Sequence, residues 1–327
     1  GHYNAFPLVR NPEVPNGGAF DHAGGEDGAT LRGPQLFAGI KAAHPGAVVQ
    51  LNHSRGGSGS LTLLQVDTAT LATHALPADF FMEPAADATA NDTKLFGDGF
   101  DILESANGPS PNYAILNDWM TFLSRGTVRT SSGVSDSHHE LSDTGGYART
   151  WAKVGTDDPM AFSPGEFAEA IRTQRAFVSN GPLLAFTAQK LDGNGMPTGP
   201  KVEIGQTLRV SPGDRIELTV DVQGLEWMQI NRVELYSHAP GREALNGESN
   251  GEWPEGRILQ KHDLDPLMLP VEAVPGSASL RRVHLVEKFV VTATTDRWFV
   301  GMARGRGRSM RPHHDSRPAA WSNAILI

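Results

Sequence analysis

Phe100-Asp101-Ile102-Leu103-Glu104, closing at Asn107-Gly108, is followed by Tyr113–Ser124 and then by Arg129–Val134, which leads into Ser135-Asp136-Ser137-His138. The first and third pieces are short apolar runs of strand type. In the middle piece Ile115, Leu116, Trp119, Phe122 and Leu123 recur at helical spacing, and Gly126 supplies a stop. Strand, helix, strand is the rhythm of an α/β sheet or barrel. Upstream, Ala47-Val48-Val49-Gln50-Leu51 reads as a further buried strand and ends in Asn52-His53. Downstream, Pro164–Arg175 reads as a second helix, with Phe167, Ala168, Ala170 and Ile171 on one face. Ser163 and Glu166 form a capping-box pattern at its start. Polar residues collect just past the ends of the strands, the face that carries the chemistry in α/β barrels.

After Asn180-Gly181-Pro182 the periodicity changes. Arg215–Val222, Arg232–Tyr236 and Val286–Thr295 are alternating runs punctuated by Pro and Gly, which predicts an all-β sandwich. The predicted division is an α/β domain over 1–185 and a β-sandwich over 186–327.

Composition narrows the function classes. The chain has 327 residues, enough for about two domains at roughly 150 residues each. Its net charge of −9 disfavours a general nucleic-acid binder, because phosphate backbones are repelled. Its longest apolar runs fall far short of the ~20 residues of a membrane span. With 36 Gly and 22 Pro, loops are plentiful and long helical bundles are disfavoured. There is no Cys, so disulfides, thiol nucleophiles and thiolate metal sites are excluded. Any metal must be held by His, Asp and Glu. A periplasmic or secreted location is slightly favoured over a cytoplasmic one.

Gly133-Val134-Ser135-Asp136-Ser137-His138-His139 carries the strongest chemical signal. If Asp136 and His138 are extended they point the same way and converge on a cation; the other reading is a turn with exposed histidines. Asn52-His53-Ser54-Arg55-Gly56-Gly57 is the second. There His53 reaches into a cleft and Arg55 faces an anion, or both belong to a solvated glycine loop. Gly1-His2-Tyr3-Asn4 says little alone. Glu104 and Asn107 at a strand end read as a cleft acid with its neighbour or as a solvated rim. His22, His44, His74 and His313-His314-Asp315 read as loop residues, as does the basic run Arg304-Gly305-Arg306-Gly307-Arg308.

Taken in order, Gly-His-Tyr-Asn-Ala-Phe-Pro-Leu (1–8), Asn52-His53, Asp101-Ile102-Leu103-Glu104 with Asn107-Gly108, Trp119 to Gly126, Gly133–His138 and Arg172 to Pro182 resemble one family. It is the polymerase-and-histidinol-phosphatase (PHP) superfamily, in its carbaryl-hydrolase-like branch, and the likeness covers about residues 1–185. The resemblance implies a distorted α/β barrel, here its C-terminal part, with a polynuclear site of divalent zinc, manganese or iron. It implies His2, His53, Asp136 and His138 as metal ligands. Further donors are expected ahead of Gly1, so the chain is read as part of a longer precursor. Isolated, it is expected to bind metal weakly and to be a poor hydrolase.

The function implied is hydrolysis of an ester-type bond (phosphoester, carboxylester or carbamate) in a small-molecule substrate by metal-activated water. Arg55 or His139 would stabilise developing negative charge. The expected partners are that substrate and, to complete the site, the upstream segment or a second copy of the chain. The alternative is a non-catalytic module whose sandwich binds a glycan or a protein; a structural role is third.

Overall fold

The computed structural model describes residues 2–13, 15–18, 33–57, 59–73, 96–97, 99–139, 145–238, 254–308 and 316–327. His22, His74, His313, His314 and Asp315 lie outside these residues. The fold is mixed and rich in sheet, with few helices.

The first sheet contains β1 (Tyr3–Phe6), β2 (Val48–Leu51), β3 (Ile102–Asn107), β4 (Ser110–Pro111) and β5 (Thr130–Val134). β2, β3 and β5 run parallel, and β1 is antiparallel to β2. Every residue of β2 is buried because both faces of the sheet are covered, as parallel sheets require. Val49 and Leu51 pack with Leu36, Phe37 and Ile40 of α1 (Gly33–Ala43). Val48 faces Ala168 and Ile171 of α4 (Pro164–Arg172) on the other side. A short turn of helix, α2 (Ser60–Leu63), follows the loop after β2.

The long helical pattern forms α3 (Tyr113–Ser124), capped by the Asn112 side chain, which accepts from the Ile115 amide at 3.1 Å. Gly126 follows with φ +74°, a conformation that favours glycine at a helix end. At α4 the Ser163 hydroxyl accepts from the Glu166 amide at 3.2 Å. Glu166 does not close the capping box, because its carboxylate takes the Gly155 amide instead.

Two further sheets are antiparallel and share a core. One has the order β13 (Val271–Ala273), β14 (Arg281–Thr292), β10 (Arg215–Leu225), β8 (Leu183–Leu191), β9 (Pro197–Glu203). The other has the order β12 (Ile258–Asp263), β11 (Ile230–Ser237), β15 (Trp298–Gly305), β16 (Ala319–Ser322), β7 (Ala176–Ser179), β6 (Arg149–Ala152), with β17 (Ile325–Leu326) also on β15. Strict alternation along β10 turns Ile216, Leu218, Val220 and Val222 inward, where they meet Leu235, Phe299 and Ala303 of the second sheet.

The second sheet is buried on both faces. Its other side offers Val178, Tyr236, Val300, Met302 and Trp321 to the core that holds Ile115, Trp119 and Phe122 of α3. The position 185/186 lies within a continuous strand, β8. Both β6 and β7 join the sheet of the later strands through the β7–β16 pairing. Four-residue strands bury too little on their own and take their place from the sheet they extend.

Candidate functional site

The parallel strands β2, β3 and β5 end on one edge, and β1, running the opposite way, begins there. Tyr3 pairs with Leu51, and the Asn52 amide donates to the His2 carbonyl at 3.1 Å. Topology thus brings residue 2 beside residue 53. His2 Nδ1 lies 2.9 Å from His53 Nε2, with the rings edge to face.

Glu104 on β3 lies under this pair and is 1% exposed. Its Oε1 accepts from the His53 amide at 2.8 Å and from Asn107 Nδ2 at 2.7 Å. Burial pushes its carboxyl above the ordinary range, while those two hydrogen bonds pull the other way. The same Asn107 amide donates to Asp136 Oδ2 at 3.1 Å. A hydrogen-bonded run therefore joins His2, His53, Glu104, Asn107 and Asp136. A buried carboxylate with Asn107 as its bridge takes the place of the solvated-rim reading.

Asp136 is not extended. Its φ is +47°, and that of His53 is +26°. Both side chains sit on left-handed backbone, which costs on the order of 1–3 kcal/mol per residue and tends to persist at functional positions. As a result Asp136 and His138 do not point in parallel. The His138 ring folds back so that Nδ1 donates to the Asp136 carbonyl at 2.6 Å. Its Nε2 is 3.9 Å from Asp136 Oδ1. His139, next along the loop, is exposed.

The donor set fits divalent cations in pairs. Two imidazole nitrogens on one ion at ~2.0–2.1 Å stand roughly 2.9 Å apart at a right angle and roughly 3.4 Å apart at the tetrahedral angle. The His2–His53 approach satisfies that as well as it satisfies an N–H···N bond. In His138 one ring nitrogen donates to a backbone carbonyl, the support usual for a ligating histidine. Among the described residues, however, no group of three or more His, Asp or Glu side chains is placed to hold one ion together. The Asn107 amide stands between Glu104 and Asp136, so the four expected ligands form two pairs and not a closed shell.

Arg55 departs from expectation. It does not present its guanidinium to an anion in the cleft. Nε and Nη2 grip Asp118 of α3 at 2.7 and 2.9 Å, and Nη1 and Nη2 donate to the Leu61 and Val66 carbonyls. Asp118 is fully buried, and Thr68 also donates to it. A bidentate pair with a buried carboxylate holds Arg55 as the staple of its loop. Asp118 went unnoticed in the sequence because it sits among apolar residues of a helix, with no local sign of its partner.

No protein-family model matches this chain, nor does any curated protein or solved structure.

Proposed function

We propose that this chain is a metal-dependent hydrolase of ester-type bonds, phosphoester, carboxylester or carbamate, built on the C-terminal part of a PHP-type barrel. The observation that carries the reading is the hydrogen-bonded run from His2 to Asp136 along the edge where β2, β3 and β5 end, with His138 at its far side. His2, His53, Asp136 and His138 would hold divalent zinc, manganese or iron, which when bound lowers the pKa of water and polarises the scissile group. Glu104 holds the His53 backbone in place through its amide. Asn107 sets the distance between Glu104 and Asp136. His139, exposed in the same loop, would meet negative charge that develops on the substrate.

The test is metal uptake by the full chain after chelation, followed by hydrolysis of p-nitrophenyl acetate and p-nitrophenyl phosphate. The expected result is weak uptake of zinc or manganese, with slow turnover that appears with the metal and is lost in H53A and D136A. A folded chain that takes up no more metal than H53A/D136A overturns the reading. Uptake without hydrolysis of any ester overturns the hydrolase and leaves a binding module.

A further inference from the structure

A second site lies away from the histidines, where the start of α3 meets β11 and β15. A cavity of about 380 Å³ is lined there by Ser110, Tyr113, Asn231, Arg232, Arg304 and Arg317, among others. That is within the usual size of a small-ligand pocket. Arg232 and Arg304 lie directly opposite each other on β11 and β15. Like charges in that position repel. Glu234, fully buried, serves both: its Oε1 accepts from Arg304 and lies 3.6 Å from Arg232, while its Oε2 takes the Tyr236 hydroxyl at 3.0 Å. Asp263 on the outer side holds Arg232 at 2.5 Å.

Arg317 adds a third guanidinium, and among the described residues no carboxylate pairs with it. Its backbone is pinned, because the buried Asn180 amide donates to the Arg317 carbonyl at 2.9 Å and to the Pro109 carbonyl at 2.7 Å. Arg317 thus stands in the same wall as Arg304, which Glu234 holds, and Arg232, which Asp263 holds. Burial raises the phenol of Tyr113, the first residue of α3, and the charges of Arg304 and Arg317 counter that only in part. The positive end of the α3 dipole adds to the same field.

We propose that this cavity binds a small organic dianion, a phosphate monoester or a dicarboxylate, through Arg317 and Arg304 with Arg232 behind them. Guanidinium forks match the oxygens of both groups. The cavity is much larger than a bare ion, so Ser110, Asn231 and Tyr113 are left for the organic part.

The experiment is isothermal titration of the full chain in EDTA, which removes any contribution from metal at the histidine pairs. The probes are inorganic phosphate, glycerol 3-phosphate and succinate. Saturable binding of glycerol 3-phosphate or succinate is expected, weakening with salt, and whichever binds identifies the headgroup. Arg317→Ala should weaken it about tenfold or more, the loss of one charge-assisted hydrogen bond. Ser110→Glu, on an exposed position at the cavity, should weaken it as well. Absence of binding by both organic probes, or unchanged binding in R317A and S110E, overturns the proposal. So does inorganic phosphate binding as tightly as the organic probes, since the cavity would then recognise a bare ion.

Discussion

His2 Nδ1 stands 2.9 Å from His53 Nε2 although the two residues are 51 positions apart. The cause is the antiparallel pairing of β1 with β2, which starts one strand where the other stops. Neither residue owes its position to the other's local sequence, so the pair reports on the whole sheet edge.

If the pair shares a cation, its two members act as one unit. His2→Ala and His53→Ala should each weaken zinc binding roughly tenfold or more, the scale of losing one coordinating group or its support. The double variant should be much less than the product of the two losses, because the second removal has no shared ion left to lose. Titration of the four proteins measures the coupling, and strictly multiplicative losses would separate the two histidines.

His238, at the end of β11, makes a pH prediction with a definite sign. Burial chiefly, and the charges of Arg257 and Arg297 after it, hold its imidazole below the ordinary histidine value. The unfolded chain therefore binds a proton at higher pH than the folded one. Stability linked to His238 is complete above about pH 6.5 and falls as pH drops through the window below it. His238→Asn should flatten the denaturation midpoint between neutral and mildly acid pH. A wild-type slope retained in the variant would assign the dependence to another group.

α3, α4 and the parallel strands were legible because their signals are local, whereas α1 was not read from the sequence. The α3 stripe of Ile115, Leu116, Trp119, Phe122 and Leu123 lies within three turns, and Ser163 caps α4 three residues from its partner amide. β10 showed its alternation for the same reason. The place of β6 and β7 was not legible, because Phe177–Ser179 finds its partner in 320–322, far along the chain. The positions of the candidate ligands were legible as strand ends, but their directions were not. Left-handed backbone at Asp136 cannot be read from a sequence that extended geometry fits equally well. Arg55 shows the same limit: its partner Asp118 is 63 residues away on a helix.

That ion pair yields a stability prediction. Arg55 is 16% exposed in its side chain and Asp118 is wholly buried. Arg55→Ala strands a buried carboxylate and should cost about 3–5 kcal/mol in urea denaturation. The double variant R55A/D118A should lose less than the sum of the singles, since the second change removes the stranded charge. An R55A loss below about 1 kcal/mol, the range of exposed pairs, would place Asp118 in contact with water.

Gly133 gives the last prediction, because it links packing to the candidate site. It lies on β5 where that strand meets β6 and β7, and the Thr150 hydroxyl bonds its amide at 2.9 Å and its carbonyl at 3.0 Å. A Cβ placed there would stand 2.5 Å from Val178 Cγ1 and 3.3 Å from Ala148 Cβ. Val178 is itself fully buried on β7 and cannot swing away without opening the core. Gly133→Ala should therefore push β5 away from β7 and cost about 1–3 kcal/mol, the usual range for overpacking. Asp136 follows three residues later, so the same displacement should lengthen its contact with Asn107 and weaken metal binding along with stability. Val178→Ala in the Gly133→Ala background makes room for the methyl group and should restore metal binding more fully than stability, because it leaves a smaller side chain in the core. If metal binding in G133A is unchanged while stability falls, the site edge is insulated from the β5–β7 contact.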